Sequence, residues 1–309
     1  MMEPTQQLEL STSGELVDFA AARAVRAERD RTALDEYDVA AQIARGGMGG
    51  VYLATDRTKG EMVAIKLLAP RFAEQADIVA RLFAERAVSE RVKHENLVDV
   101  RVARYSNDGV PFLVIEYLDG ENLGDLAERG RMELIAVVGI ATQIAAGGAA
   151  LHAAGIAHCD LKQDNIVVLY EPEGIGYPYI KIVDYGVAHI PGLSPMDEST
   201  IAGTPACMAP EQWRGAPTSA SDVYALGCML FELLTGDALF GGTLPELAIA
   251  HAHQVPRRAS AMRDDVPPAL DALIAAMLDK NPERRPAMFE IAEALNSMLP
   301  ALPLVAVGY

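Results

Sequence analysis

Hydrophobic and polar positions divide the chain into stretches of different period. Residues 1–36 are polar and charged, with Ser11-Thr12-Ser13-Gly14 as a flexible spot. A short helix is expected over Gly14–Arg31, where Leu16, Val17, Ala20, Ala21 and Ala24 fall on one side. From Tyr37 the pattern becomes strand-like. Val39–Arg45 runs into Gly46-Gly47-Met48-Gly49-Gly50, and Val51–Ala54 alternates beyond it. Met62–Lys66 is an apolar strand that closes on a lysine. Ala76–Lys93 has helical spacing, with Ile78, Leu82 and Val79, Phe83 recurring four residues apart. Pro111–Leu118 is a continuous apolar strand, and Asp119-Gly120 signals a turn.

Beyond that turn the pattern is mostly helical. Leu134–Ala157 contains no Asp, Glu, Lys or Arg and is long enough to span a bilayer. Thr142, Gln143, Gly147, Gly148 and His152 interrupt it, so a buried helix is expected, with no membrane span. Val167 and Ile182-Val183 are strand-like and flank an insert, Glu171–Tyr179, expected as a surface hairpin loop. Ser221-Asp222 caps Val223–Leu234, which is apolar on nearly every face and must be buried. A last helix is expected to end near Leu299, and residues 300–309 form a tail.

Composition narrows the reading. At 309 residues, half of them hydrophobic, the chain can bury a sizeable core. A formal charge of −17 excludes non-specific binding to nucleic acid, which needs basic surface to displace counterions. Three cysteines, Cys159, Cys207 and Cys228, are too few for a disulfide framework and fit a reducing cytoplasm. His251 and His253 lack partners spaced to complete a zinc site, and are expected as solvated helix residues. No basic n-region followed by an apolar run opens the sequence.

The candidate chemistry centres on His158-Cys159-Asp160-Leu161-Lys162-Gln163-Asp164-Asn165. Phosphoryl transfer needs a carboxylate for the proton of the attacking hydroxyl, a cation beside the phosphate and an oxygen ligand for the metal. Asp160, Lys162 and Asn165 supply those three groups, and the Asp of Asp184-Tyr185-Gly186 can hold a second metal contact. The glycine-dense turn between two strands lets backbone N–H groups approach phosphates. Gly46, Gly49 and Val51 fit an x-G-x-x-G-x-V frame, with Ala44 where a first glycine is usual.

Together these motifs resemble the catalytic domain of protein kinases, and most closely the bacterial eukaryotic-like serine/threonine type. The shared spellings include V-A-I-K at Lys66, H-E-N-L-V at His94–Val98, G-T-P at Gly203–Pro205, A-P-E at Ala209–Glu211 and N-P-E-R-R-P at Asn281–Pro286. The resemblance implies an α+β, two-lobed kinase fold. The N-lobe would be a five-stranded antiparallel sheet with one major helix, over 37–118. The C-lobe, over 119–299, would be mostly helical, and 1–36 an extension. It implies ATP in the cleft with Mg²⁺ or Mn²⁺, and protein substrates with serine or threonine acceptors.

By the same resemblance, Ala44, Gly46, Gly47, Gly49, Val51, Ala64, Lys66, Ile115, Glu116, Leu118 and Val167 contact the nucleotide. Glu85 holds Lys66, Asn165 and Asp184 bind the metal, and Thr204 bonds Asp160 and Lys162. Asp222 anchors the catalytic loop and Arg285 pairs with Glu211. Asp164 and Glu232 match positions that contact an arginine before the target residue in basophilic relatives.

Three departures stand out. Cys159 replaces the arginine of H-R-D, making this a non-RD kinase without the main anchor for a phosphorylated loop. Ser89 replaces an apolar residue that would stack with Val100, His158 and Tyr185, a loss of about 1–3 kcal/mol. Ala44 adds a methyl that would restrict the loop's dihedrals. The alternative reading is an ATP-binding pseudokinase scaffold. The expected location is cytoplasmic, or membrane-tethered should the native chain continue beyond Tyr309.

Overall fold

The computed structural model describes Leu34 and residues 36–169, 177–185, 188 and 203–303. The helix expected over Gly14–Arg31, most of the Glu171–Tyr179 insert, and the end of the C-terminal tail lie outside the described residues. The chain forms two compact units. One runs through Phe83 and adds Val100–Tyr117, and the other comprises Ala84–Asp99 and everything from Leu118 on.

The first unit is built on one antiparallel sheet of five strands in the order β1-β2-β3-β5-β4. The strands are β1 (Tyr37–Arg45), β2 (Gly49–Asp56), β3 (Met62–Leu68), β4 (Val100–Tyr105) and β5 (Pro111–Glu116). One face carries the core: Tyr37, Ala54, Val63, Ile65, Phe112 and Val114 pack together, with Val39, Leu67 and Val102 beside them. Strand register assigns the opposite face. Val51 pairs with Lys66 and Ala64 with Ile115, so these four share the side away from that cluster, because residues alternate along a strand. Tight pairing explains one glycine, since a Cβ on Gly49 would lie 2.0 Å from the Leu67 carbonyl oxygen.

Helix α1 (Ala76–Arg91) follows β3, and the division into units falls within it, after Phe83. It stops two residues short of the expected end at Lys93. Lys93 is drawn into an ion pair with Asp99, and the chain after Arg91 turns toward the second unit's sheet. There Val98 N donates to Ile182 O (3.0 Å) and Ile182 N to Asn96 O (2.8 Å).

In the second unit β6 (Gly120–Asn122), β7 (Ile166–Leu169) and β8 (Tyr179–Ile182) form a three-stranded sheet. The helices are α2 (Leu123–Glu128), α3 (Leu134–Ala153), α4 (Ser219–Thr235), α5 (Leu244–His253), α6 (Pro268–Met277) and α7 (Met288–Met298). Helix α3 is apolar and long enough to cross a membrane, yet 72% of its most apolar window is buried within the protein. It packs on α4, α7 and β8. Its lack of charge therefore serves a central position in the core. Helix α4 is buried on almost every turn, and the chain leaves it at Gly236, whose φ of 77° suits glycine.

Candidate active site

The loop His158–Asn165 is fixed from below by Asp222 on α4. Its carboxylate accepts from the backbone N–H groups of His158 and Cys159, each at 2.8 Å. His152 Nε2 lies 2.8 Å from the same carboxylate. The clamp sits at a backbone position that few side chains adopt, since Cys159 has φ 64°. Gln212 Nε2 donates to Cys159 O (2.8 Å), and Cys159 Sγ contacts Ala157 O (3.6 Å). A left-handed non-glycine residue costs about 1–3 kcal/mol and persists only where surrounding bonds enforce it. Here three of them do.

Above the clamp, Asp160 is the centre of a converging set. Thr204 Oγ1 donates to Asp160 Oδ1 (2.8 Å), and Lys162 Nζ is 3.1 Å from Oδ2. Asn165 Nδ2 donates to Asp160 O (2.8 Å) and reaches its Oδ2 at 3.3 Å. Of the two contacts expected of Thr204, the bond to Asp160 is present, and Lys162 reaches the same carboxylate. Gly203 fits here because its φ is 127° and a Cβ would press on Cys159 O at 3.1 Å.

Asp184 follows β8 with φ 67°. The next ring, Tyr185, is buried; its hydroxyl donates to Val98 O (3.2 Å), and it stands edge-on to His158 at 5.9 Å. Gly186 lies outside the described residues. Ser89 does not leave its hydroxyl unpaired. It donates to Asp99 Oδ1 (3.2 Å) and accepts from Lys93 Nζ (3.3 Å), so the polar group is satisfied within a small charged cluster.

The segment after Thr204 is stapled by ionic bonds. Arg285 Nη1 and Nη2 meet Glu211 Oε1 (2.6 Å) and Oε2 (2.9 Å), and Ser221 Oγ donates to Oε1 (2.7 Å). Burial works against the Glu211 carboxylate, but Arg285 and Ser221 outweigh it and hold its pKa below the ordinary value. Among the described residues Glu232 meets no cation in this way. Gln163 Nε2 donates to it (3.1 Å), and burial pushes its pKa up to about 7.

In the first unit Gly46, Gly47, Gly49 and Val51 lie in or between β1 and β2. A Cβ on Gly47 would meet nothing within 4 Å, so this glycine leaves open space, whereas Gly49 is required by strand pairing. Ala44 pairs with Val51 in β1, and its φ is not positive. Its methyl therefore adds no backbone strain at this position. Ala64 and Lys66 lie on β3, Ile115 and Glu116 on β5, and Leu118 opens the longer segment of the second unit. Glu85, on α1, is buried, and Val167 is on β7.

Two further features escaped the sequence. Gln212, to which the sequence reading gave no role, also accepts the Ala209 N–H (3.0 Å). His251 was expected to be solvated but is fully buried, its Nδ1 3.0 Å from Tyr224 OH and its ring against Phe240. Burial drives its pKa down to about 4. His253, two residues on, is exposed as expected. A helix with one buried face explains the split.

Comparison with known proteins agrees with this geometry. Residues 37–297 match the protein kinase domain family. The serine/threonine-protein kinase PkaA of Streptomyces coelicolor is 38% identical over 271 residues, covering 82% of this chain and 48% of that protein. PknL of Mycobacterium tuberculosis, also named a serine/threonine-protein kinase, is 36% identical over 258 residues, covering 81% and 62%. The chain thus spans about half to three-fifths of these relatives' length. The PknI kinase domain of M. tuberculosis shares the fold with a TM-score of 0.65 at 23% identity, over 85% of this chain and 96% of that one. The chain belongs to the protein kinase domain family, in its bacterial serine/threonine branch.

Proposed function

We propose that this chain transfers the γ-phosphoryl group of ATP to serine or threonine hydroxyls of proteins, with Asp160 as the proton acceptor. The observation that carries this is the convergence of Thr204, Lys162 and Asn165 on the one Asp160 carboxylate. Thr204 and Asn165 fix the rotamer of that carboxylate, and Lys162 places a cation beside it. A hydroxyl that hydrogen-bonds Asp160 is aligned for attack, and its proton passes to the carboxylate as its oxygen bonds to the γ-phosphorus. The bond from that phosphorus to the β–γ bridging oxygen breaks and ADP leaves. Lys162 balances charge on the transferring group.

The residues fit a hard divalent cation, Mg²⁺ or Mn²⁺. Asn165 commits its amide nitrogen to Asp160 and keeps its oxygen for a ligand role, and the Asp184 carboxylate is the second donor. No group of three or more His, Cys, Asp or Glu gathers into a cage among the described residues. One carboxylate and one amide, completed by substrate phosphates, suit a magnesium-type site. Such an ion, when bound, would supply positive charge to offset that of the phosphates, held by Asn165 and Asp184.

In the same reading the nucleotide contacts are Ala44, Gly46, Gly47, Gly49, Val51, Ala64, Lys66, Ile115, Glu116, Leu118 and Val167, with Glu85 holding Lys66. The open space at Gly47 supports a phosphate-facing loop. The kinase domain corresponds to 37–299, with 1–36 an extension and 300–309 a tail, and it works in the cytoplasm on protein partners. Cys159 makes it a non-RD enzyme, a reading supported by the thiol's contact with a backbone carbonyl where an arginine would hold a phosphate. No observation favours a catalytically silent scaffold.

The test is phosphate transfer from Mg²⁺-ATP to a protein acceptor, followed by phosphoamino-acid analysis. Phosphoserine or phosphothreonine should form. Lys66→Met and Asp184→Asn should each lower turnover by about a hundredfold or more. Near-parental rates in the Asp184 variant would overturn the metal assignment.

A further inference from the structure

Away from the catalytic loop, the second unit holds a cavity of about 340 Å³ between the chain after α5 and the end of α6. Its lining includes the cations Arg257, Arg258 and Lys280, with His253 beside them. The floor is apolar and buried, with Ile274 and Leu278 beneath the rim. Three cationic side chains around one hollow are unexpected on a chain of net charge −17.

Two carboxylates also line the cavity, and both are engaged. Asp271 meets Arg258 Nη1 (3.5 Å) and the Ser260 hydroxyl (2.9 Å), and Asp279 Oδ1 accepts from Asn281 N (2.8 Å). Arg257 makes no ion pair among the described residues; its guanidinium lies 5.9 Å over the Phe231 ring. Lys280 Nζ sits over Phe240 (4.9 Å) and donates to Tyr224 OH (3.0 Å). Positive charge therefore exceeds negative, above a floor that favours hydrocarbon. The size lies in the range of small-molecule sites.

We propose that this cavity binds a small amphiphilic anion, a carboxylate or phosphate monoester on a compact apolar body, with Arg257 and Lys280 taking the head group and Ile274 and Leu278 the body. Burial holds the Lys280 amine down at about 8; an anion beside it would favour the charged form. Lys280 also bonds Tyr224, and Tyr224 bonds His251, on the helix that packs against Pro205–Cys207, next to Thr204. Occupancy thus has a short path to the segment that carries Thr204. Binding itself does not depend on the activity proposed above.

The test is calorimetric titration of the full chain, without nucleotide, using hexyl phosphate, hexanoate, hexanol, inorganic phosphate and an acidic peptide. Hexyl phosphate or hexanoate should bind one molecule per chain, about tenfold or more tighter than hexanol or inorganic phosphate. The two anions distinguish the head-group source. Arg257→Gln, an exposed position that should keep the parent's thermal midpoint, should weaken binding about tenfold or more. Ala275→Phe should abolish it by filling the floor; if that variant does not fold, Arg257→Gln decides alone. Inorganic phosphate binding as tightly as hexyl phosphate, binding unchanged in Arg257→Gln, capture of only the acidic peptide, or no binding would each overturn the proposal.

Discussion

The clamp beneath the catalytic loop gives the sharpest quantitative expectation. Asp222 is fully buried and accepts two backbone N–H groups at 2.8 Å. Asn at this position keeps one acceptor oxygen and turns an NH₂ toward the other donor. It therefore loses one charge-assisted hydrogen bond and leaves one buried N–H unpaired, a cost of about 2–4 kcal/mol. Asp222→Ala strands both donors and removes the His152 partner, so its cost rises to about 4–6 kcal/mol, comparable to the whole stability of many domains. Cys159 is then also free to leave φ 64°, which displaces the neighbouring Asp160. Urea unfolding followed by circular dichroism should rank parent, Asn and Ala in that order. Below its unfolding transition, the Asn variant should still lose turnover by about tenfold or more through misplacement alone. An Asn variant within about 0.5 kcal/mol of the parent and with full turnover would refute the clamp.

Glu232 should make recognition of basic peptides pH-dependent. With a pKa of about 7, its negative charge is available only above that pH, so kcat/KM for an arginine-containing peptide should rise from pH 6 to 8 and flatten in Glu232→Gln. The sign for stability is opposite: the folded state holds this proton more tightly than the unfolded, so the contribution falls as pH rises from 4.5 to about 7. Breaking the buried Glu211–Arg285 pair with Arg285→Ala should cost about 3–5 kcal/mol in denaturant unfolding; a change within about 0.5 kcal/mol would contradict the staple. Because Cys159 offers no cation to a phosphate, replacing two hydroxyls ahead of Gly203 that lie outside the described residues, Ser199→Ala/Thr200→Ala, should keep activity within about threefold, a barrier change under about 1 kcal/mol. Initial rates of phosphatase-treated protein check this, and a drop of about thirtyfold would mean that loop phosphorylation activates the enzyme.

Much of the site was legible because its chemistry lies in short, contiguous motifs. Asp160, Lys162 and Asn165 sit within one loop, and their mutual bonds are local consequences of it. The apolar run of α3 was correctly read as core because polar residues and glycines broke it. The errors came where the reading depended on partners distant in sequence. Ser89 looked like a missing apolar contact, and only the fold brings Asp99 and Lys93 to its hydroxyl. His251 and His253 share a helix, but only packing against Tyr224 and Phe240 decides which one is buried. Gln212 bonds to Cys159, far back in the chain, and no local pattern marks it.

The most direct measurement separates chemistry from binding at Asp160. ATP affinity is measured for the parent and Asp160→Asn by a fluorescent nucleotide, and phosphate transfer to an exogenous peptide is followed on the same samples. The catalytic assignment predicts ATP binding within about threefold of the parent and turnover reduced by about a hundredfold or more. An Asp160→Asn enzyme that turns over at the parental rate would contradict it.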